Sequence, residues 1–260
     1  MGVVPRLPDF IEARIEPPAG VVALQLPPAD TASEGLVLVC DVDGLHLELR
    51  AGRQCTRLLI DFLSGALQYR ARIQQARSEM LVRACGVPKD GSAWHVVDAT
   101  AGLGRDAFLL AVCGAEVTLL ERHPVLALLL EDALTALAAV HTDIAARLHL
   151  VEHEAVEWLH GLATGACPEV VYCDPMFPPR TKSAAVSGEM QVLHRLVGET
   201  PDAGNLLAAA LHAAKRRVVV KRPLRADPLC ATGLEKIRPS YALSGRASRF
   251  DVYLIETLPL

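Results

Sequence analysis

The sequence predicts a doubly wound α/β fold preceded by a small β-containing appendage, and three observations support that prediction. Strand-like and helix-like segments alternate from residue 93 onward, the strand-like runs are short and apolar, and glycine or proline lies near several segment boundaries. Alternation of this kind predicts a parallel sheet covered by helices. The chain has 260 residues, 51% of them hydrophobic, and can therefore bury a substantial core.

The N-terminal third of the chain divides into two parts. Residues 1–35 contain six prolines and are expected to be irregular. In residues 36–92 we expect two strands, Leu36–Cys40 and Leu45–Leu49, on either side of a glycine-bearing turn. A third strand is expected at Arg57–Asp61 and a helix at Gln74–Cys85. We therefore expect an irregular segment over 1–35, a small appendage over 36–92 and the main domain over 93–260.

The main domain is expected to alternate between strands and helices throughout. The predicted strands are His95–Ala99, Glu116–Glu121, Leu148–Val151, Val170–Cys173, Arg217–Lys221 and a final pair near Ile237–Leu243 and Phe250–Ile255. The predicted helices are Arg105–Cys113, Val125–Val140, Gly188–Val197 and Asn205–Ala214. Pro124 favours a helix start there, because proline suits the first helical position.

A turn with two glycines follows the first strand of the main domain. Asp98 ends that strand, Gly102 and Gly104 lie in the turn, and a helix starts at Arg105. Glycine lets the backbone approach a ligand closely, and the helix offers free N–H groups. Seventeen residues after Gly104, Glu121 ends the next strand, where a carboxylate can accept hydrogen bonds from ribose hydroxyls. The pattern predicts a nucleoside-binding site.

The nucleoside itself is not fixed by this turn, because the spacing also satisfies the loose dinucleotide-binding pattern. Asp98 favours S-adenosylmethionine, since it is placed to bind the ligand's ammonium group, and no separate pyrophosphate clamp is evident. The alternative is that Asp98 caps the turn and that Glu121 is a surface carboxylate.

A second group of candidate residues follows the strand Val170–Cys173. Asp174 is followed by Pro175, and Phe177 comes two residues later. Ligands of open α/β sheets bind at the carboxyl ends of the strands, so this segment is expected to face the glycine turn. A carboxylate and an aromatic ring can hold and stack an amino-bearing nucleobase for methyl transfer. An ordinary turn and a core aromatic are the alternatives.

Charge is distributed unevenly along the chain. The net charge is −4, yet residues 176–260 carry 13 Lys and Arg against 7 Asp and Glu. A basic face of this kind suits a nucleic-acid backbone, although a solvated charged surface explains it equally well. We expect rRNA phosphates to be held by four of these residues, Arg180, Lys182, Lys221 and Arg222.

Several other classes of protein are disfavoured. The seven cysteines are scattered and form no C-x-x-C pair, and the histidines lack partners at metal spacing, so neither a disulfide framework nor a metal site is expected. The common serine hydrolase and NTPase motifs are absent. No apolar run reaches the length of a membrane span, and a cytoplasmic location is expected.

Five ordered motifs together resemble the RsmJ family of bacterial 16S rRNA guanine-N2 methyltransferases. They are Val97–Ala107, Leu120–Arg122 with Pro124, Asp174–Pro178, Val218–Pro223 and Arg249–Tyr253. The resemblance runs from about Leu36 to Tyr253. It implies a class I S-adenosylmethionine-dependent methyltransferase fold, S-adenosylmethionine as the methyl donor, and a guanosine of 16S rRNA or the small ribosomal subunit as the acceptor.

The resemblance also implies a set of cofactor-binding residues. By matching position these are Arg105, Asp106, Glu121, Arg122, Asp174, Glu154 and Ala155. Where the family has two small polar residues, this chain has Glu154 and Ala155. Where the family is glycine-rich, between Ile73 and Glu79, this chain has Gln74 to Arg77. Three alternatives remain, namely methylation of another amine, on adenine, DNA or protein; a nucleotide-dependent oxidoreductase; and a non-catalytic ribosome-assembly factor.

Overall fold

The computed structural model describes residues 11–15, 34–163, 165–175, 188–197, 203–246 and 248–258. Within these residues the chain forms a four-stranded sheet and a seven-stranded sheet with helices on both faces. The predicted doubly wound α/β architecture with an N-terminal β-containing part is therefore confirmed. The domain boundaries given above stay a prediction.

The small sheet comprises β1 (Ile11–Ile15), β2 (Glu34–Asp41), β3 (Gly44–Ala51) and β4 (Gln54–Leu59). Strands β2, β3 and β4 are antiparallel, as the predicted hairpin and third strand require, and β1 pairs parallel to β2. The expectation that residues 1–35 are irregular is wrong for β1. Its backbone pairs with β2, a tertiary contact that local proline content does not report.

Three short helices connect the two sheets: α1 (Gly65–Arg70), α2 (Ile73–Ser78) and α3 (Met80–Cys85). The prediction of one continuous helix from Gln74 to Cys85 is wrong, because Glu79 has extended backbone with φ −60° and ψ 137°. From this break, the Glu79 carboxylate accepts a hydrogen bond from Arg70 at 2.8 Å. The break therefore links α1 to the start of α3.

The large sheet contains strands β5 (His95–Asp98), β6 (Glu116–Glu121), β7 (Leu148–Glu152), β8 (Val170–Cys173), β9 (Arg217–Pro223), β10 (Tyr241–Ser244) and β11 (Ser248–Leu254). Its order is β10-β11-β9-β8-β5-β6-β7, with β5 to β9 parallel and the last two strands antiparallel. The helices are α4 (Arg105–Val112), α5 (Pro124–Val140), α6 (Thr142–Ala145), α7 (Ala155–His160), α8 (Gly188–Val197) and α9 (Ala203–Ala213).

Side chains on β5 show how the sheet is buried on both faces. Val96 and Val97 are both fully buried, and each joins a different core cluster. Successive strand residues point to opposite faces, so two separate layers of helices are needed to cover them. The cluster containing Val96 also includes Leu47 and Leu58 of the small sheet. The small sheet thus shares a core with the large one.

Strand order reverses between β5 and β8. From β5 the chain runs outward through β6 to β7, then returns to β8 on the other side of β5. The loops after β5 and β8 consequently separate and leave a crevice at the carboxyl ends of these strands, which is where ligands bind in open α/β sheets. The residues that follow β5, β6 and β8 are therefore brought together.

Candidate active site

A cavity of about 590 Å³ opens at the carboxyl ends of β5, β6 and β8. This volume lies within the range of small-molecule sites. Every cofactor residue expected from the sequence lines it, namely Asp98, Gly102, Arg105, Asp106, Glu121, Arg122, Glu154, Ala155 and Asp174. Which of them contact a ligand stays a prediction.

The glycine turn has the conformation that its sequence predicts. Gly102 and Gly104 have φ values of 53° and 67°, a region that favours glycine. At Gly104, a Cβ atom would lie 2.8 Å from Leu130 and 2.9 Å from Phe62. Glycine is therefore needed there for both its conformation and its size.

Glu121 holds this turn in place from the end of β6. One carboxylate oxygen accepts the Gly102 N–H at 3.0 Å, and the other accepts the His123 N–H at 2.7 Å. Burial raises the pKa of Glu121, and the two backbone donors oppose that shift. Because a carboxylate has about four acceptor positions, Glu121 retains capacity for ligand hydroxyls.

Asp98 is a buried carboxyl group with one oxygen unpaired. It is 1% exposed, and its Oδ1 atom accepts the Thr100 N–H at 3.1 Å. Its Oδ2 atom is buried and has no hydrogen-bond partner among the described residues. Burial, with a smaller contribution from Asp106, raises the pKa of Asp98 to about 8. A buried carboxylate requires a partner, so this side of the cavity suits a cationic ligand group.

Asp174 belongs to a charged network in the same cavity. The Lys221 amine donates to Asp174 at 2.7 Å and to Asp106 at 3.2 Å. The Tyr172 hydroxyl donates to Asp106 at 2.6 Å, and the Asp174 N–H donates to the Thr100 hydroxyl at 2.6 Å. Asp174 is thus fixed through both its backbone and its side chain.

Burial and charge act in opposite directions on this network. Burial raises the pKa of Asp174, while the Lys221 ammonium lowers it. The pKa of Lys221 is raised overall, because the attraction of Asp106 and Asp174 outweighs the effect of burial. Lys221 therefore remains charged and supplies the counter-charge for both carboxylates.

Lys221 and Arg222 have internal partners, and their contact with rRNA phosphates stays a prediction. The Lys221 amine lies in the cavity network, and Arg222 is only 9% exposed, with its guanidinium donating to the Asp227 carbonyl. Both side chains make internal contacts from β9, and the Lys221 side chain is also 30% exposed. Phe177, Arg180 and Lys182 lie outside the described residues.

Two other cofactor candidates have internal partners. Arg105 pairs with Glu189 at 2.9 Å, which joins the glycine turn to α8. The Glu154 side chain accepts the Val156 N–H at 2.6 Å and thereby caps α7, a helix that sequence analysis missed. An acid followed by an apolar run, as found from Glu154, is a signal that favours a helix start.

Sequence analysis also missed Tyr172 and Thr100. A period-two rule would have found Tyr172, because it lies two residues before Asp174 and strand residues spaced by two share a face. Thr100 had no such signal, since its hydroxyl reaches Asp174 only when β5 and β8 are neighbours. In the described residues no group of three or more His, Cys, Asp or Glu is arranged to hold a metal. No described helix has the length and apolar character that crossing a membrane requires.

Comparisons with known proteins place the chain in a family. A family model described as "Putative SAM-dependent methyltransferase" matches residues 22–255. The chain is 50% identical to ribosomal RNA small subunit methyltransferase J of Thioalkalivibrio sulfidiphilus over 89% of both chains. It is 45% identical to the enzyme of that name from Coxiella burnetii over 81% of both chains.

A solved structure supports the same family. A SAM-dependent methyltransferase from Neisseria gonorrhoeae is 36% identical, covers 89% of this chain and 87% of its own, and superposes with a TM-score of 0.67. The family model covers most of the chain, and these relatives are 36–50% identical over at least 81% of it. The chain therefore belongs to the S-adenosylmethionine-dependent methyltransferases, within the family of ribosomal RNA small subunit methyltransferase J.

Proposed function

We propose that this protein transfers a methyl group from S-adenosylmethionine to the exocyclic N2 amine of a guanosine in 16S rRNA. The observation that carries the proposal is the convergence of Asp98, Glu121 and Asp174 on one cavity. The names of the relatives, which specify small-subunit rRNA, support the acceptor. We infer a cytoplasmic location, because that is where bacterial small-subunit rRNA is found.

The residues of the glycine turn suit S-adenosylmethionine. When bound, this cofactor supplies an electrophilic methyl group on a sulfonium. Asp98 would bind its ammonium group, since the unpaired Oδ2 atom lacks a partner. Glu121 would accept its ribose hydroxyls while continuing to hold the turn. Arg105, Asp106, Arg122, Glu154 and Ala155 complete the proposed cofactor wall.

Asp174 would act on the acceptor. The lone pair of a guanine amine is delocalised into the ring, so the amine must be held in line with the methyl group. Asp174 would accept a hydrogen bond from that amine, and Lys221 holds its carboxylate in position. The transfer would form the N–C bond at the expense of the methyl–sulfur bond, and Asp174 would accept the proton that the amine loses and pass it to solvent.

Phe177 is proposed to stack on the guanine. This role depends on the sequence alone, in which Phe177 follows Asp174 by three residues. An aromatic face beside a carboxylate is the usual way to hold an unpaired base. Entry of the guanine requires that it leave its stack, as it must for other enzymes that modify a base.

Methyl transfer to defined acceptors tests the proposal. Tritiated S-adenosylmethionine would be incubated with 30S particles, or free 16S rRNA, from cells lacking this gene, and the RNA digested to nucleosides. Label in N2-methylguanosine is expected. Label only in an adenine, DNA or protein acceptor would overturn the acceptor assignment and support methylation of another amine.

Two substitutions separate the role of Asp174 from general effects. Asp174→Ala should abolish transfer while the protein remains folded, which a cooperative thermal unfolding transition would show. Asp143→Asn is the matched control, because Asp143 is exposed on α6. An Asp174→Ala enzyme that retained most of its activity would remove the proposed mechanism.

A further inference from the structure

The corner between α1 and α2 lies at the mouth of the cavity and presents an unusual surface. Arg70, the last residue of α1, lines the cavity. The neighbouring side chains of Tyr69 and Ile73 are 57% and 48% exposed. They are two of only five large hydrophobic side chains that are exposed in the described part of the chain.

The charge of this corner is mainly positive, with Glu79 paired to Arg70 at 2.8 Å. No Asp or Glu lies between Asp61 and Glu79 in the sequence. The Arg72 guanidinium lies 5.1 Å from the centre of the Tyr69 ring, and within the described residues it forms no ion pair. The pair therefore presents an aromatic ring and a cationic plane together.

Arg77, in the same basic segment, has a different role. Its guanidinium donates to the carbonyls of Pro88 and Cys113 at 3.1 Å each, so it fastens α2 to the main domain. The fold thus uses Arg77 for an internal contact, while among the described residues no comparable side-chain hydrogen bond involves Tyr69, Arg72 or Ile73. These three residues, with Arg70, are called the corner surface below.

We propose that the corner surface binds the single-stranded RNA next to the target guanosine, with a neighbouring base stacked on the Tyr69–Arg72 pair. Aromatic rings and arginine planes are the groups on which proteins stack unpaired bases, and the positive charge complements the phosphates. Arg70 continues the surface into the cavity, where the target base must enter. This inference rests on the proposed function and assigns its acceptor-binding surface.

Binding and kinetics of Tyr69→Ala and Arg72→Ala test this inference. Stacking of one base contributes about 1–3 kcal/mol, so the Kd and the KM for a 16S rRNA fragment should rise about 5- to 150-fold in Tyr69→Ala. Tyr69→Phe should bind as the wild type does, because the ring remains. S-adenosylmethionine affinity and kcat should change little in either alanine variant.

The chain offers matched controls for both substitutions. Tyr241→Ala removes a tyrosine that is 40% exposed on β10, at the edge of the large sheet. Arg216→Ala removes a guanidinium that lies 5.0 Å from the Trp94 ring centre, where β5 and β9 begin rather than end. Both controls should leave the Kd and the KM for RNA unchanged.

The outcomes distinguish the corner surface from the proposed function. Weakened RNA binding in Tyr69→Ala and Arg72→Ala, but not in the controls, supports the corner surface. If the Kd and the KM for RNA are unchanged in both variants, the corner surface does not bind RNA and the inference is overturned. The same conclusion follows if the two variants lose only binding to a ribosomal protein. If the wild type binds 16S rRNA but transfers no methyl group, the proposed function fails and the Kd comparison still decides the inference.

Discussion

Ionisation of Asp98 should couple S-adenosylmethionine binding to pH. Only the carboxylate form attracts the ammonium group of the ligand, and burial raises the pKa of Asp98 to about 8 in the unliganded protein. At that pKa the group is ionised in roughly 1% of molecules at pH 6 and roughly 9% at pH 7. The affinity should therefore rise about ninefold between these values, or about 1.3 kcal/mol.

The sign of the effect follows from the direction of the shift. The raised pKa means that unliganded Asp98 holds a proton at neutral pH, and the ligand must displace it. Affinity consequently increases as the pH rises toward 8. Above pH 8 the affinity stops rising, because the α-amino group of the ligand loses its proton; the usual pKa of such a group is roughly 7.7–8.0. We expect maximal affinity near pH 8.

Titration calorimetry measures both the affinity and the proton released. At pH 7, in buffers of different ionisation enthalpy, about 0.9 proton should be released per ligand bound. Asp98→Asn is the control, since it removes the ionisation but keeps the shape of the side chain. His153 and His194 also line the cavity and are retained in this variant, so their contribution cancels in the comparison. Equal pH dependence in both proteins would refute the assignment of Asp98 to the ammonium group.

Substitutions at Lys221 and Gly104, each with a companion variant, test the Asp174 network and the glycine turn. Lys221→Met should lower kcat about 10²-fold, because Asp174 loses the group that positions it. Lys221→Arg should retain more activity than Lys221→Met. Single-turnover methyl transfer measures the activity of both variants. A Lys221→Met enzyme with normal kcat would contradict that role. Gly104→Ala should lower the free energy of unfolding by about 2–4 kcal/mol, because strain at φ 67° adds to the contacts with Leu130 and Phe62. Gly52→Ala should lower the free energy of unfolding by only about 1–2 kcal/mol, because φ is 58° but nothing lies within 4 Å of the added Cβ atom. Denaturant titrations measure both variants, and equal losses in Gly104→Ala and Gly52→Ala would exclude the packing explanation.

The positions of the site carboxylates were predictable from the sequence for a simple reason. Asp98, Glu121 and Asp174 each come at the end of a short apolar run, and parallel strands bring their carboxyl ends to one edge. The local pattern therefore specifies the global location. The glycine turn was also predictable from the sequence, because Gly102 and Gly104 have the positive φ values that favour glycine.

Other features depended on contacts between distant parts of the chain. Lys221 read as a surface cation, yet its partners Asp106 and Asp174 are 115 and 47 residues away in the sequence. Strand β1 is defined by its pairing with β2, and the break at Glu79 accompanies an ion pair with Arg70. Periodicity and composition indicate which residues of a regular element are buried. They do not indicate which sequence-distant residue a polar side chain will contact.

Phe62 connects the end of the small sheet to the glycine turn. It follows β4, stacks on Phe108 of α4 with ring centres 5.3 Å apart, and packs against the Gly104 position. The glycine turn is thus supported from behind by a residue that follows the small sheet. A ligand whose binding stabilised this turn would also stabilise its packing against Phe62, and loss of that packing would lower the ligand's affinity by the same free energy. Cutting the chain at residue 92 would therefore separate the glycine turn from the Phe62 side chain that packs against it.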